Sequence, residues 1–438
     1  MQLGVPHFAH LTRAMTTNNS ANSDPYAALR YSEFRDYLAA STIHNIALLI
    51  QEVVIAYELY RITRNPLALG LTGLAAAVPF ISLSLYGGHV ADRVSKRTII
   101  LWSVILVTVS TVGLCICVLA VESQRLSTVT LTAAFYIVIF FIGVCRAFRA
   151  PAVSALRSFL VPPSLYENAT KWSTSSWQVA AVLGPSLSGF LYLGFGLFGT
   201  LLAVVLLLCC SWILFSRIGD KPVPATLNES SRTSVISSVL EGVRFAYRTK
   251  IIFYSISLDM LSVLFGGVVA ILPIYAEDIL HVGAGGLGIL RAAPALGAII
   301  TVLLLAKFSV IKNPWRNLLI ATSGFGVWIL IFAVSPWMVL SVFALFMSGA
   351  FDSVSVVIRQ TILQLMTPDN MRGRVMAVSG IFISSSNELG AFESGFAARL
   401  MGTVPSAVFG AATTLAIVAW VFTKSKQLLK VRPSTESR

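Results

Sequence analysis

Charge is scarce in this chain. Asp, Glu, Lys and Arg make up 12% of its 438 residues and 56% are hydrophobic, whereas soluble globular domains carry roughly 25% charge. An ordinary soluble enzyme is therefore excluded. Cysteine is also sparse. Cys115, Cys117, Cys145, Cys209 and Cys210 are odd in number, lie in apolar runs and lack metal-ligand spacing, so they read as small core hydrophobes. Histidine is too rare and scattered for a metal site, His44 and His89 being the two within the apolar body. No GxxxxGK[ST] phosphate loop and no Ser/His/Asp set occurs, which leaves ATP-driven pumping and hydrolysis without residues. Residues 1–29 lack the continuous apolar core of a signal peptide and read as a disordered tail, in which Met15 is an alternative start to Met1.

Long apolar runs are abundant. A bilayer-spanning helix needs about 20 mostly apolar residues, and twelve such runs bounded by charge or turn residues are present: 36–60, 67–88, 98–121, 128–149, 172–193, 197–216, 251–276, 286–307, 317–335, 337–360, 375–398 and 403–423. An even number puts both termini on one side. With that side as the cytoplasm, 27 of the 32 Lys and Arg are cytoplasmic, and Arg61, Arg64, Arg125, Arg291 and Arg399 remain for the other face. This positive-inside asymmetry accounts for the formal charge of +13 without a nucleic-acid partner. The expected organisation is a cytoplasmic tail (1–35), a six-helix bundle (36–216), a cytoplasmic linker (217–250), a second bundle (251–423) and a cytoplasmic tail (424–438). Within the linker, Val235, Val239, Val243 and Phe245 interleave with Glu241, Arg244 and Arg248, the pattern of an amphipathic helix on a membrane surface.

The two halves resemble each other weakly. Gly73-Leu-Ala-Ala-Ala-Val-Pro79 in the second span matches Gly288-Ile-Leu-Arg-Ala-Ala-Pro294 in the eighth. Pro162, Gly184 and Gly189 around the fifth match Pro368, Gly390 and Gly395 around the eleventh, and the same offset aligns Arg146 with Asp352. Two six-helix halves related by an axis along the membrane normal are a transporter architecture with its site near the midplane.

Local motifs sharpen this reading. Gly88-His-Val-Ala-Asp92-Arg93-Val-Ser-Lys96-Arg97, between the second and third spans, resembles the GxxxDRxxxR loop of the major facilitator superfamily, with Asp92 placed to cap and charge-pair at the start of the third helix. Arg146-Ala-Phe-Arg149-Ala150 is similar to that family's RxxQG element, with Arg149 and Ala150 in place of Gln and Gly. Ala180-Ala-Val-Leu-Gly184-Pro185-Ser-Leu-Ser-Gly189 is similar to the GxxxGPxxGG signature of drug:proton antiporters. Asn65-Pro66-Leu-Ala-Leu-Gly70, Thr367-Pro-Asp-Asn-Met-Arg-Gly-Arg374 and Ser386-Asn-Glu-Leu-Gly390 resemble the enterobactin-exporter-like group, the transmembrane secretion effectors, over roughly residues 30–420. The resemblance implies an all-α polytopic membrane protein with twelve transmembrane helices in two pseudo-symmetric six-helix bundles, the major facilitator fold. It also implies a bacterial inner-membrane exporter.

Ionisable residues inside spans cost about 2.5–3.5 kcal/mol each at a helix centre and are functional-site candidates by default. Glu52 lies mid-span in the first helix, which also carries His44, Gln51 and Glu58 at sevenfold spacing. Asp259 lies in the seventh, Asp352 in the tenth, and Glu388, beside Asn387, in the eleventh. Glu52, Asp259 and Glu388 are the expected protonation sites, with Gln51 and Asn387 as polar companions. Asp352 fits an ion pair with its repeat-mate Arg146 or its neighbour Arg359. Arg291 fits an anionic-substrate contact, or an outer gate with Glu58, Glu277 or Asp278. Gly88, Asp92, Arg93, Lys96 and Arg97, with Arg146, Asp352, Gly184, Pro185 and Gly189, form the expected conformational switch. Trp172, Trp177 and Gln178 are placed either to stack on a ligand or to anchor the helix.

The function expected is secondary active export of a small siderophore- or drug-like compound in exchange for protons, by rocker-switch alternating access. No cofactor beyond the proton gradient, no metal and no catalytic residue is expected. The expected partners are the substrate, protons and the bilayer, and the expected state is a monomer. An importer or facilitator of a nutrient, lipid or metal ion, and a non-transporting sensor on a transporter fold, are the alternatives.

Overall fold

A computed structural model describes residues 24–221, 235–305 and 313–430. The expectations for the first 23 residues, for the linker around Pro222, Pro224 and Asn228–Arg232, and for the last eight residues lie outside them. Every regular element among the described residues is helical.

In the N-terminal half the helices are α1 (Ser32–Thr63), α2 (Pro66–Arg93), α3 (Lys96–Glu122), α4 (Thr128–Ser158) and α5 (Tyr166–Ser216). Short polar signals separate them. Arg64, in the left-handed region at φ 48°, ends α1, and the Asn65 side chain then accepts from the Leu67 amide (3.1 Å) with Pro66 at the first helical position. Ser95 and Ser127 cap α3 and α4 in the same way. The expected fifth and sixth spans are two helices that meet within α5 at Gly196, whose φ 65°, ψ −169° is not helical, and the kink falls in the expected gap between residues 193 and 197. Only a residue without Cβ enters that region freely.

After the amphipathic helix α6 (Val235–Arg248) come α7 (Lys250–Gly266), α8 (Gly283–Leu305), α9 (Pro314–Val334), α10 (Met338–Met366), α11 (Asp369–Met401) and α12 (Thr403–Lys424). Past Gly267 the seventh span continues through a 3₁₀ turn, Val268–Ile271, a short α turn, Leu272–Ile274, and a π turn, Tyr275–Ile279. Among the described residues ten segments are long and apolar enough to cross a membrane, the two helices of α5 being taken together as one. Polar α11 is the further long helix, packed against α2 and α7 rather than left to face lipid on all sides.

One expected loop is corrected. Gly88, Asp92 and Arg93 belong to α2, and Lys96 and Arg97 to α3, so that Val94 and Ser95 alone connect the two helices. Ser95, not Asp92, caps α3. The apolar stretch before Gly88 continues in helical register because nothing in it breaks the helix before Val94.

The halves meet through α2 on α11 and α5 on α8. Their faces carry the matched glycines. A Cβ on Gly395 of α11 would lie 2.5 Å from the Gly70 Cα, and one on Gly288 of α8 would lie 2.6 Å from the Pro185 carbonyl oxygen of α5. Small residues thus let four backbones approach closely, and the internal sequence repeat marks the two equivalent sides of one pseudo-twofold interface. Apolar packing is continuous between the halves at the end away from the described terminal residues. There Tyr57, Leu69 and Leu201 share one core with Leu272, Leu287 and Ala398. At the other end the cores are separate, one around Phe34, Ile100 and Phe215 and one around Ile252, Trp315 and Leu363. The bundles are joined at one end and parted at the end that bears the described termini.

Candidate functional site: charges between the two bundles

Three layers of charge occupy the region between and beside the bundles. The first closes the joined end. Arg64, at the end of α1, binds Asp278 (2.8 Å) and Glu277 (3.1 Å) of the opposite half. The Tyr57 hydroxyl donates to Glu277 (2.8 Å), and the Tyr60 hydroxyl donates to Asp278. The left-handed turn at Arg64 and the π turn at Tyr275–Ile279 bring these side chains together. Sequence reasoning missed Arg64, Tyr57 and Tyr60, because nothing along the chain links an α1 terminus to residues more than 200 positions away.

The second layer lies at mid-depth and is crossed. Glu52 of α1 pairs with Arg291 of α8, and Glu388 of α11 pairs with Arg146 of α4 at 2.5 Å. Each half thus supplies one acid and one base, and each pair joins the two halves. The carboxylates of Glu52 and Glu388 are within electrostatic reach of each other, so the four groups form one cluster. Glu52 is 60% exposed and Arg146 45%, although both lie near the centre of apolar helices and face the opposite bundle. A polar opening between the halves is the surroundings that permits this. The Arg146 guanidinium also stands 4.9 Å over the Phe80 ring.

The third layer lies inside the C-terminal half. Arg359 of α10 and Asp259 of α7 form a buried ion pair. Asp352 lines a small cleft of about 10 Å³ with Asp259, Ser262, Thr322 and Ser355. Burying a charge pair is tolerable only with good mutual geometry, and the pair ties α7 to α10.

The sequence candidates divide accordingly. Glu52, Glu388, Arg146 and Arg291 come together. Asp352 has no ion-pair partner among the described residues: Arg146 reaches across to Glu388, and Arg359 takes Asp259, so the expected Asp352 pairs are corrected. Arg291 does not join Glu58, Glu277 or Asp278, because it points to Glu52 from one turn and more below the closed end. Glu58 instead holds Arg61 (2.6 and 2.9 Å) and accepts from the Tyr192 hydroxyl (2.6 Å). Gln51 is fully buried and donates to Thr111 of α3 at 3.1 Å, pointing away from Glu52. A step of one residue turns a helical side chain by about 100°, enough to separate Gln51 from its neighbour. The Asn387 amide donates to the Ile383 carbonyl of its own helix (3.1 Å).

The switch candidates are placed as follows. Gly184 packs α5 against Leu49 of α1, Pro185 and Gly189 pack it against α8. Lys96 is buried over the Phe159 ring, and Arg97 donates to the Ser216 carbonyl (2.7 Å). Asp92 and Arg93 are exposed, and a Cβ on Gly88 would meet open space. The Trp172 indole donates to the Pro25 carbonyl (2.9 Å), an anchoring contact.

A family model for transmembrane secretion effectors matches residues 23–436. The enterobactin exporter EntS of Escherichia coli O1:K1 is 24% identical over 378 residues, covering 85% of this chain and 87% of that one. Among solved structures, a bacterial homologue of the human lysosomal transporter Spinster, in an inward-facing and unoccupied conformation, superposes with a TM-score of 0.70 at 17% identity, covering 92% of this chain and 99% of that one. A bacterial homologue of the iron transporter ferroportin in an inward-facing state gives 0.68 at 14% identity, covering 91% and 99%. These two share the fold. The protein is a multi-pass membrane transporter of the major facilitator type and not an enzyme. With the match running through both bundles and their polar interface, the chain belongs to the transmembrane secretion effector family.

Proposed function

We propose that this protein exports a small amphipathic organic compound, siderophore- or drug-like, across the bacterial inner membrane in exchange for protons. The carrying observation is the crossed cluster Glu52–Arg291 and Glu388–Arg146, set between two bundles that are joined at one end and parted at the other. Lys and Arg concentrate at the parted end, which under the positive-inside rule is cytoplasmic. The conformation is then open to the cytoplasm, from which an exporter loads.

Alternating access follows from the two interfaces. Opening the far side requires the Arg64–Glu277–Asp278 contacts to break while the parted faces of the bundles come together. The exposed Asp92 and Arg93 at the end of α2 are then free to meet the opposite half and hold that state. A proton on Glu388 or Glu52 releases its arginine partner, and an inward proton supplies about 2.3 kcal/mol per 100 mV of membrane potential. The resemblance to an enterobactin exporter supports outward movement and an organic cargo.

The test is accumulation of a panel of dyes, antibiotics and iron chelators in cells lacking their own efflux pumps, with and without this protein. Lower accumulation that a protonophore abolishes is the expected result. Higher accumulation identifies an importer and overturns the proposal.

A further inference from the structure

A cleft of about 200 Å³ opens in the N-terminal half on the terminus-bearing side of the crossed cluster. It is walled by α1, α4 and α5. Its polar groups include Arg149, Arg157, Tyr37, Asn45, Ser154 and Ser173, and none of the residues lining it is acidic. The volume equals that of about seven waters, room for a carboxylate or phosphate with part of an aromatic ring.

The two arginines are uncompensated. Neither Arg149 nor Arg157 has a carboxylate partner among the described residues, in contrast to Arg61, Arg64, Arg146, Arg291 and Arg359. The Arg149 guanidinium stands 5.8 Å from the Phe215 ring centre, and its Nε is buried with no hydrogen-bond partner. The Ser41 hydroxyl, which lines the cleft, and His44 Nδ1 are buried and unpartnered as well. His44 lies within electrostatic reach of Arg149. Buried polar groups are ordinarily satisfied, and two positive charges in a partly dry cleft are stabilised by an anion.

The cleft also faces the transport path. Asn45 lies seven residues before Glu52, the same face of α1 about 10 Å nearer the open end. Ala150 and Arg157 continue down α4 from Arg146 on one face. We infer that this cleft binds the anionic head, a carboxylate, sulfonate or phosphate ester, of the transported compound before it reaches the crossed cluster. The inference deepens the export reading and rests on it for the identity of the occupant.

The test uses the full-length protein in nanodiscs of phosphatidylcholine and measures equilibrium displacement of radiolabelled benzoate. Benzenesulfonate and phenyl phosphate should displace it, and benzyl alcohol and benzylamine should not. R149Q should weaken benzoate binding at least tenfold, R149K by less, because lysine keeps the charge but loses the planar fork. Ser154 is exposed, so S154D places a carboxylate in the cleft without disturbing packing, and it should abolish binding even if R149Q fails to fold. Benzoate binding no tighter than that of benzyl alcohol, or unchanged in S154D, overturns the inference. Loss of benzoate binding in discs containing phosphatidylglycerol assigns the cleft to lipid headgroups and overturns it equally. Binding is read without a pH gradient, so its failure leaves proton-driven export standing, and absence of export leaves the binding result standing.

Discussion

Replacing Arg64 by glutamine should open the joined end. Arg64 is 53% exposed and meets two carboxylates, Asp278 at 2.8 Å and Glu277 at 3.1 Å. A solvent-exposed ion pair contributes about 0.2–1 kcal/mol, so two together contribute about 0.4–2 kcal/mol. They are made only while the two bundles touch at that end. R64Q therefore shifts the equilibrium between the observed conformation and its alternative by that amount, about 2- to 30-fold toward the opened far end. The tyrosine contacts to Glu277 and Asp278 survive the change and keep the shift at this modest size. The assay is pulsed electron–electron spin resonance with labels at Val129 and Val339, exposed residues in the first turns of α4 and α10 at the joined end, the native cysteines being replaced by serine or alanine. R64Q should populate a longer label-to-label distance. The E277Q/D278N variant should do the same, and the triple variant should add little to either. An unchanged distance distribution in R64Q would show that these ion pairs do not hold the joined end closed.

Three further predictions follow from the packing and the charges. Asp259→Asn leaves Arg359 buried without its counter-charge and should lower stability by about 3–5 kcal/mol, seen as a fall in the unfolding temperature in detergent, while D259L/R359M should recover most of the loss. Gly395→Val places a branched side chain where even a Cβ lies 2.5 Å from the Gly70 Cα, so the same spin-label pair should report separation of the two bundles, whereas G184A should leave that distance unchanged because Gly184 packs α5 on Leu49 of α1 within one half. Glu388→Gln removes the carboxylate partner of Arg146, and on the proton-exchange proposal the pH dependence of export should flatten while expression and fold persist. Retention of the wild-type pH dependence in that variant would assign proton coupling elsewhere.

The fold was legible because the bilayer imposes long apolar helices, and twelve runs survive in the sequence with few ambiguous boundaries. Helix ends were less so. Gly88–Arg93 reads as a loop from its glycine and charges, yet continues α2, because the first residues to break the helix are Val94 and Ser95. The charged residues of the site were legible as exceptions to apolar composition, which singled out Glu52, Arg146, Arg291 and Glu388. Their pairing was not. It crosses between halves separated by about 240 residues, and the alignment of Arg146 with Asp352 reflects duplication rather than contact. Arg149 shows the converse limit. As a departure from a motif it is a defect, whereas beside Phe215, Tyr37 and Arg157 it is the centre of a basic cleft.

Proton flux coupled to cargo movement separates antiport from uncoupled flow. The protein is reconstituted in liposomes loaded with the compound picked out by the accumulation panel and with a trapped pH-sensitive dye, with no imposed voltage. Flow of the compound down its gradient should drive protons the opposite way, and Glu388→Gln should abolish the pH signal. Equal compound flow with no proton movement in the wild-type protein would contradict antiport.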